Sequence, residues 1–188
     1  MAKESEFVEI AKAAAEEVLS PPLCIKRGEA LLYQVTVNNE LSLTVTPTKP
    51  VRGNSAFQTD LCVFEEKKPD VLIPRVVMEF KSRITTHDVL TYSAKARKHK
   101  QVYPYLRYGI VISDESVIPG RLFTHNEALD FCATIADFKG NRLSGFFADL
   151  LKAEVESSRR LEQIGFGKLR IHLFRNEVEF QTGGAKVK

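Results

Sequence analysis

Three side chains have the types and the spacing for metal-assisted phosphate chemistry: Asp60, Glu79 and Lys81, all within the stretch Phe57 to Lys81. The stretch reads as two strands, Gln58 to Glu65 and Val71 to Lys81, joined by a turn at Glu66 to Pro69. Residues i and i+2 of a strand share a face, so Glu79 and Lys81 project together and Phe80 goes to the opposite side. A hairpin turning near Lys67 brings Asp60 to the same open end as Glu79. Two carboxylates converging there can hold Mg²⁺ or Mn²⁺ through oxygen. Such an ion polarises a phosphate, activates water and stabilises the leaving oxygen. A neighbouring ammonium can orient or deprotonate that water and offset phosphate charge. Asp70 also follows a proline, but a strand at ~3.3 Å per residue places it roughly 30 Å from Glu79, too far to be the partner.

An acid two residues before a lysine is a weak pattern alone. It occurs four times: Glu65/Lys67, Glu66/Lys68, Glu79/Lys81 and Asp137/Lys139. The first two lie in a charged turn and Asp137 in the expected last turn of a helix. Only Glu79/Lys81 ends an apolar run, Val71 to Met78. The competing explanation is a same-face ion pair on an edge strand, with Asp60 a polar outward residue. Charges inside apolar strands are costly without a purpose, which favours the functional explanation.

The elements that must position these residues follow from periodicity. Glu4 to Leu19 has helical spacing and stops at Pro21-Pro22, with Glu16 and Glu17 in its last turn. Leu31 to Val37 and Leu41 to Thr46 alternate as strands around an Asn38-Asn39-Glu40 turn. Pro47 to Ser55 is a loop carrying Lys49 and Arg52. Pro74 requires a bulge or an edge position in its strand. Thr85 to Asp88 forms a capping box for a helix running to about Gln101. Leu106 to Ile112 is a buried strand, expected parallel to the one ending at Lys81. Thr124 to Glu127 suggests a second capping box for a helix to Phe138, with Gly140 as its C-cap. A longer helix over Ser144 to Ile164, a short strand over Arg170 to Phe174 and a flexible tail from Gly183 complete the chain.

The chain has 188 residues, enough for one domain with a full core. Net charge is only +3, so any nucleic-acid binding depends on a local basic patch. Cys24, Cys62 and Cys132 are far apart, without a CxxC pair, which argues against a zinc knuckle. Their odd count and apolar neighbours suit reduced, buried thiols in a cytoplasmic protein. The charged N-terminus leads into no long apolar run, so neither a signal peptide nor a membrane span is expected. The absence of GxxxxGK[ST] and GxSxG patterns disfavours an NTPase or a serine hydrolase.

Thr59-Asp60-Leu-Cys-Val-Phe64, then Val76-Val-Met-Glu79-Phe80-Lys81, then a capped helix and the strand Tyr108 to Ile112, resembles the core of the PD-(D/E)xK nuclease superfamily. The resemblance covers roughly Glu4 to Ile112. It implies an α/β, restriction-endonuclease-like mixed sheet with a central hairpin, flanked by helices, with a helical C-terminal extension. A single nuclease domain over 1–182 is expected, with its core at about 4–112, the extension at about 121–165 and a final strand at about 170–180. The resemblance implies Asp60, Glu79 and the Phe80 carbonyl as metal ligands, Lys81 as the catalytic lysine, and Glu16 or Glu17 as a further carboxylate. The sequence departs from the family pattern in having Thr59 where a proline precedes the acid. Gln101-Val-Tyr-Pro-Tyr105 matches the short QxxxY signature of the RecB-like branch and marks Gln101 as an accessory candidate, although packing alone explains Tyr103 and Tyr105.

Around this centre the candidate nucleic-acid contacts are Lys49, Arg52, Ser82, Arg83, Lys95, Lys98 and Lys100, each also explicable as solvated surface or loop. The four histidines form no metal pattern. His87 and His125 read as helix-start residues, and His99 and His172 as surface. The expectation is a Mg²⁺- or Mn²⁺-dependent DNA endonuclease of restriction or repair type, dimeric if it cuts both strands. The competing class is a non-catalytic nucleic-acid-binding or assembly module that retains the fold.

Overall fold

The computed structural model describes residues 2–175 and 178–180 of the chain. Its centre is a five-stranded sheet in the order β1-β4-β5-β6-β7. These strands are β1 (Leu23–Arg27), β4 (Leu61–Lys68), β5 (Val71–Lys81), β6 (Arg107–Ile112) and β7 (Phe131–Thr134). β1, β4 and β5 are antiparallel, whereas β6 and β7 run parallel to β5, so the sheet is mixed. Helices α1 (Ala2–Glu16) and α4 (Asn141–Gly165) cover one face. The other face is covered by α2 (Thr86–Val102) and the short α3 (Gly120–His125). A separate two-stranded ribbon, β2 (Ala30–Leu32) and β3 (Ala56–Gln58), stands beside α2. Among the described residues, no helix is long and apolar enough to cross a membrane.

β5 is central because its sequence is apolar on both faces. Val76, Met78 and Phe80 pack with Val8, Ala11, Phe147 and Leu151 of α1 and α4. Val77, one residue out of phase, packs with Tyr108, Val89 and Tyr92 on the α2 side. Burying a side chain such as Phe80 contributes roughly 1.5–3 kcal/mol. A central β5 removes the edge-strand explanation for Glu79 and Lys81. Pro74 takes the bulge. Val63 pairs with Val76 and Phe64 with Pro74, which leaves Arg75 as the extra residue. Pairing to β6 starts only at Val76, so the missing Pro74 N–H breaks no bond on that side.

The capped helix α2 matches its expected start, with Thr85 and Asp88 exchanging both capping bonds. Other expectations are corrected. Leu31 to Thr46 is not a regular hairpin: only Ala30–Leu32 is a strand, followed by one isolated bridge, Val37 to Leu43. Val35, Val37, Leu41 and Leu43 are exposed, so this flap has no sheet to bury its apolar face against, and a lone two-stranded ribbon is marginal in water.

The helix expected from Thr124 to Phe138 does not form. α3 ends at His125, which is therefore a helix-end residue, and the Asn126 side chain accepts from the N–H groups of Ala128 and Leu129. Phe131–Thr134 then pairs with Gly109–Ile112. Gly109 is what admits it: a Cβ there would lie 2.4 Å from the Phe131 ring. Gly140, at φ +52°, opens α4 instead of closing a preceding helix. No strand forms over the described residues of 170–180. The tail at 183–188 lies outside the described residues. β1 was not anticipated in the sequence.

Candidate active site

The β4–β5 ladder determines where the acids meet. Leu61 pairs with Met78, which places Asp60 opposite Glu79 where β4 begins and β5 ends. Thr59 anchors that point. Its N–H and its hydroxyl both donate to the Glu29 carbonyl, at 2.9 and 3.0 Å. The Asp60 Oδ2 accepts from the Phe80 N–H at 2.8 Å. The Lys81 carbonyl turns the other way and accepts from the Ser113 N–H at 2.9 Å, just past β6. Within one strand residue the N–H and C=O point to the same side, so the Phe80 carbonyl faces the Asp60 side.

Glu79 is almost wholly buried, with 3% of its surface exposed, and accepts from the Tyr108 hydroxyl at 2.5 Å. Burial, then the neighbouring Asp60 charge, push its carboxyl up to about 7, against the pull of the Lys95 cation and the Tyr108 bond. Lys81 lies at the rim, its Nζ 3.0 Å from Glu4 Oε1 and 5.7 Å from the centre of the Tyr92 ring. Partial burial works against the ammonium, but the bond it donates to Glu4 and the charge interactions with Glu4 and Tyr92 together outweigh it and hold Lys81 above the ordinary lysine range. Lys95 sits over the same Tyr92 ring at 4.8 Å. Burial pushes the Tyr92 phenol up to about 12, so it stays neutral.

The structure therefore brings Asp60, Glu79, Phe80, Lys81 and Lys95 to one end of the sheet. It does not bring Glu16 or Glu17 there. Glu16 pairs with Lys12 at 2.6 Å, and Glu17 accepts from Ser144 at 2.6 Å. The first-helix acid that reaches the site is Glu4, twelve residues and roughly 18 Å of helix away from Glu16. Lys100 is also committed elsewhere, to Asp130 at 2.7 Å and the Ala128 carbonyl at 2.6 Å. Lys98 and Arg83 are exposed and Ser82 is half-buried. Lys49 and Arg52 are exposed on the flap, where Arg52 donates to Gln58 at 3.1 Å. Gln101, in the last turn of α2, lines an open cleft with Tyr33, Gln34, Val35 and Val102.

His99 overturns its surface assignment. It is wholly buried and stacks on Tyr108 with ring centres 5.6 Å apart. Its Nδ1 donates to the Leu32 carbonyl at 2.9 Å, and burial pushes it down to about 4, so the ring is neutral near pH 7. Tyr108, Tyr92 and Glu4 were missed as site residues. The tyrosines read as strand and helix packing, and their contact with the acids exists only across elements.

Among the described residues, no group of three or more His, Cys, Asp or Glu side chains is arranged to hold a metal ion. The oxygen donors at this point are Asp60, Glu79 and the Phe80 carbonyl. No protein-family model matches the chain, nor does any curated protein.

The raised Glu79 carboxyl has a measurable consequence. The folded state keeps a proton that the unfolded chain releases near 4.5, so this contribution is complete below 4.5 and is lost as pH rises through about 7. At about 1.4 kcal/mol per pH unit, wild type is expected to lose ~3 kcal/mol relative to Glu79→Gln across that window. Urea unfolding of both proteins in EDTA checks this. A stability gap that does not change with pH would show that Glu79 ionises normally.

Proposed function

We propose that the chain is a Mg²⁺- or Mn²⁺-dependent nuclease of the restriction-endonuclease-like fold that hydrolyses phosphodiester bonds in DNA. One observation carries the reading: Asp60 and Glu79 face each other at the end of the central strand, with Lys81 beside them on the same strand. Burial first, and then the facing Asp60 charge, raise the Glu79 carboxyl, and hard oxygen donors suit Mg²⁺.

Asp60, Glu79 and the Phe80 carbonyl are the groups that would hold the ion, which when bound supplies Lewis-acid polarisation of the phosphate and an acidified water. Tyr108 donates to Glu79 Oε1 and so fixes the carboxylate in place. The Phe80 N–H holds Asp60 by Oδ2 in the same way. Lys81 remains an ammonium, because Glu4 stabilises its charge. Its role is therefore electrostatic: it steadies the attacking water and offsets charge on the phosphate, and it does not remove the proton. Glu4 must yield Lys81 to an incoming phosphate. Lys95 supplies a second cation on the α2 side.

The test is conversion of supercoiled plasmid with Mg²⁺, with Mn²⁺ and with EDTA, comparing wild type and Asp60→Asn. The proposal expects metal-dependent nicking or linearisation that Asp60→Asn lacks while staying folded. The Glu4–Lys81 pair favours one other reading, a non-catalytic nucleic-acid-binding module, since it engages the lysine. Wild type inert on every nucleic acid with either metal would decide for that module.

A further inference from the structure

We infer that the cleft at the C-terminal end of α2 is a slot for an unpaired nucleobase, so that the substrate reaches the acid pair as a single strand. The inference rests on the nuclease reading for what happens to the strand, and on separate residues for how it is held. Tyr33 and Phe57 stack face to face with ring centres 4.0 Å apart and planes 18° from parallel. Both are only half-buried. Tyr33 forms one wall of the open cleft, and Gln101 and Val102, at the end of α2, form another. Aromatic faces accept any base by stacking, and amide side chains can meet its edge.

The slot is built, and it is tied to the acids. The Tyr33 hydroxyl donates to the Asn54 carbonyl at 2.5 Å, and the Gln34 amide donates to the same carbonyl at 2.7 Å. Behind the stack, Phe57 meets the buried His99 ring edge-on at 5.8 Å. His99 stacks in turn on Tyr108, whose hydroxyl holds Glu79. Three ring contacts thus run from the slot to the acid pair. Lys95 sits between them, 5.8 Å over Phe57 and 4.8 Å over Tyr92, where a phosphate joining slot and acids would pass. Gln101 is six residues further along α2, about 9 Å away. A base stacked in a paired duplex cannot enter such a slot without being unpaired first.

Two measurements in EDTA test the inference without any cleavage. The first is fluorescence anisotropy of labelled oligothymidylate, oligouridylate and a DNA duplex, each about a dozen nucleotides long, a span that covers a single-strand site. Single strands are expected to bind at least ~10-fold more tightly than duplex, and Tyr33→Ala to weaken single-strand binding by about 10-fold. The ratio of the two oligomers tells whether the strand is DNA or RNA. The second uses wild type alone, so that a poorly folded variant cannot obscure the result: 2-aminopurine within the single strand is expected to be quenched on binding, as stacking requires. Equal binding of duplex and single strand, or unchanged 2-aminopurine fluorescence with Tyr33→Ala binding like wild type, would overturn the slot. Single-stranded DNA and RNA left uncut with both Mg²⁺ and Mn²⁺ would remove the nuclease reading and leave this result standing. Tyr33-independent binding would remove the slot and leave cleavage standing.

Discussion

Lys81→Ala is expected to slow metal-dependent cleavage by about 10²–10³-fold in single-turnover assays, the range seen when one preorganised charge donor is removed. The lysine ends β5 two residues after Glu79, so strand geometry delivers it to the face the acids occupy. It is only partly buried, and its chief partner is Glu4 at a half-exposed site, so the fold loses little when it goes. A large rate effect with a small stability effect is therefore the signature. Lys81→Arg keeps the charge but not the compact ammonium, and partial recovery is expected. A rate for Lys81→Ala within threefold of wild type would remove the lysine from the mechanism.

The second large effect concerns stability. Arg75 is wholly buried, an unusual place for a guanidinium. It donates to Glu65 at 2.7 Å, to Glu162 at 2.5 Å and to Ser158 at 3.4 Å, and lies 5.4 Å over the Tyr105 ring. Glu65 also takes two bonds from Arg159. Burial alone would raise the Glu65 carboxyl, but Arg159 and Arg75 outweigh it and hold Glu65 below the ordinary carboxylate range. The network ties the C-terminal half of α4 to the central hairpin. Breaking a buried pair by removing one partner costs about 3–5 kcal/mol, and Arg75→Ala is expected to fall in that range in urea unfolding. Faster amide exchange is expected along the end of α4 before global unfolding. The Glu65 contribution is present above its unfolded pKa and is lost as pH falls below the ordinary 4.5, so wild type should become more acid-sensitive than a Glu65→Gln variant. A loss under about 1 kcal/mol for Arg75→Ala would mean the network is no tie at all.

The sequence by itself determined the hairpin that brings Asp60 and Glu79 to one end, a bulge or edge position at Pro74, the capped α2 and the parallel β6. Each rests on local rules: alternation with period two, a proline without an N–H, a Thr–Asp box, and an apolar run flanked by turn residues. Those rules act between near neighbours, so they are legible without a fold. The structure chose the bulge and set the register, with β4 running on to Lys68 and the turn at Pro69 and Asp70. Only the tertiary structure decided that Phe131–Thr134 is a strand, because a short apolar run is ambiguous until Gly109 leaves room beside it. It also decided that Leu31 to Thr46 is a flap, because alternation needs a core to bury one face. Packing, and not periodicity, put Glu4 on Lys81, Tyr108 on Glu79 and the neutral His99 behind them. Those partners stand 77, 29 and 9 residues apart in the chain, and the two longer spans are bridged only when sheet and helices close on one another. The pairing of opposite charges and the burial of a polar group are decided by what surrounds them, and no spacing in a single chain records that.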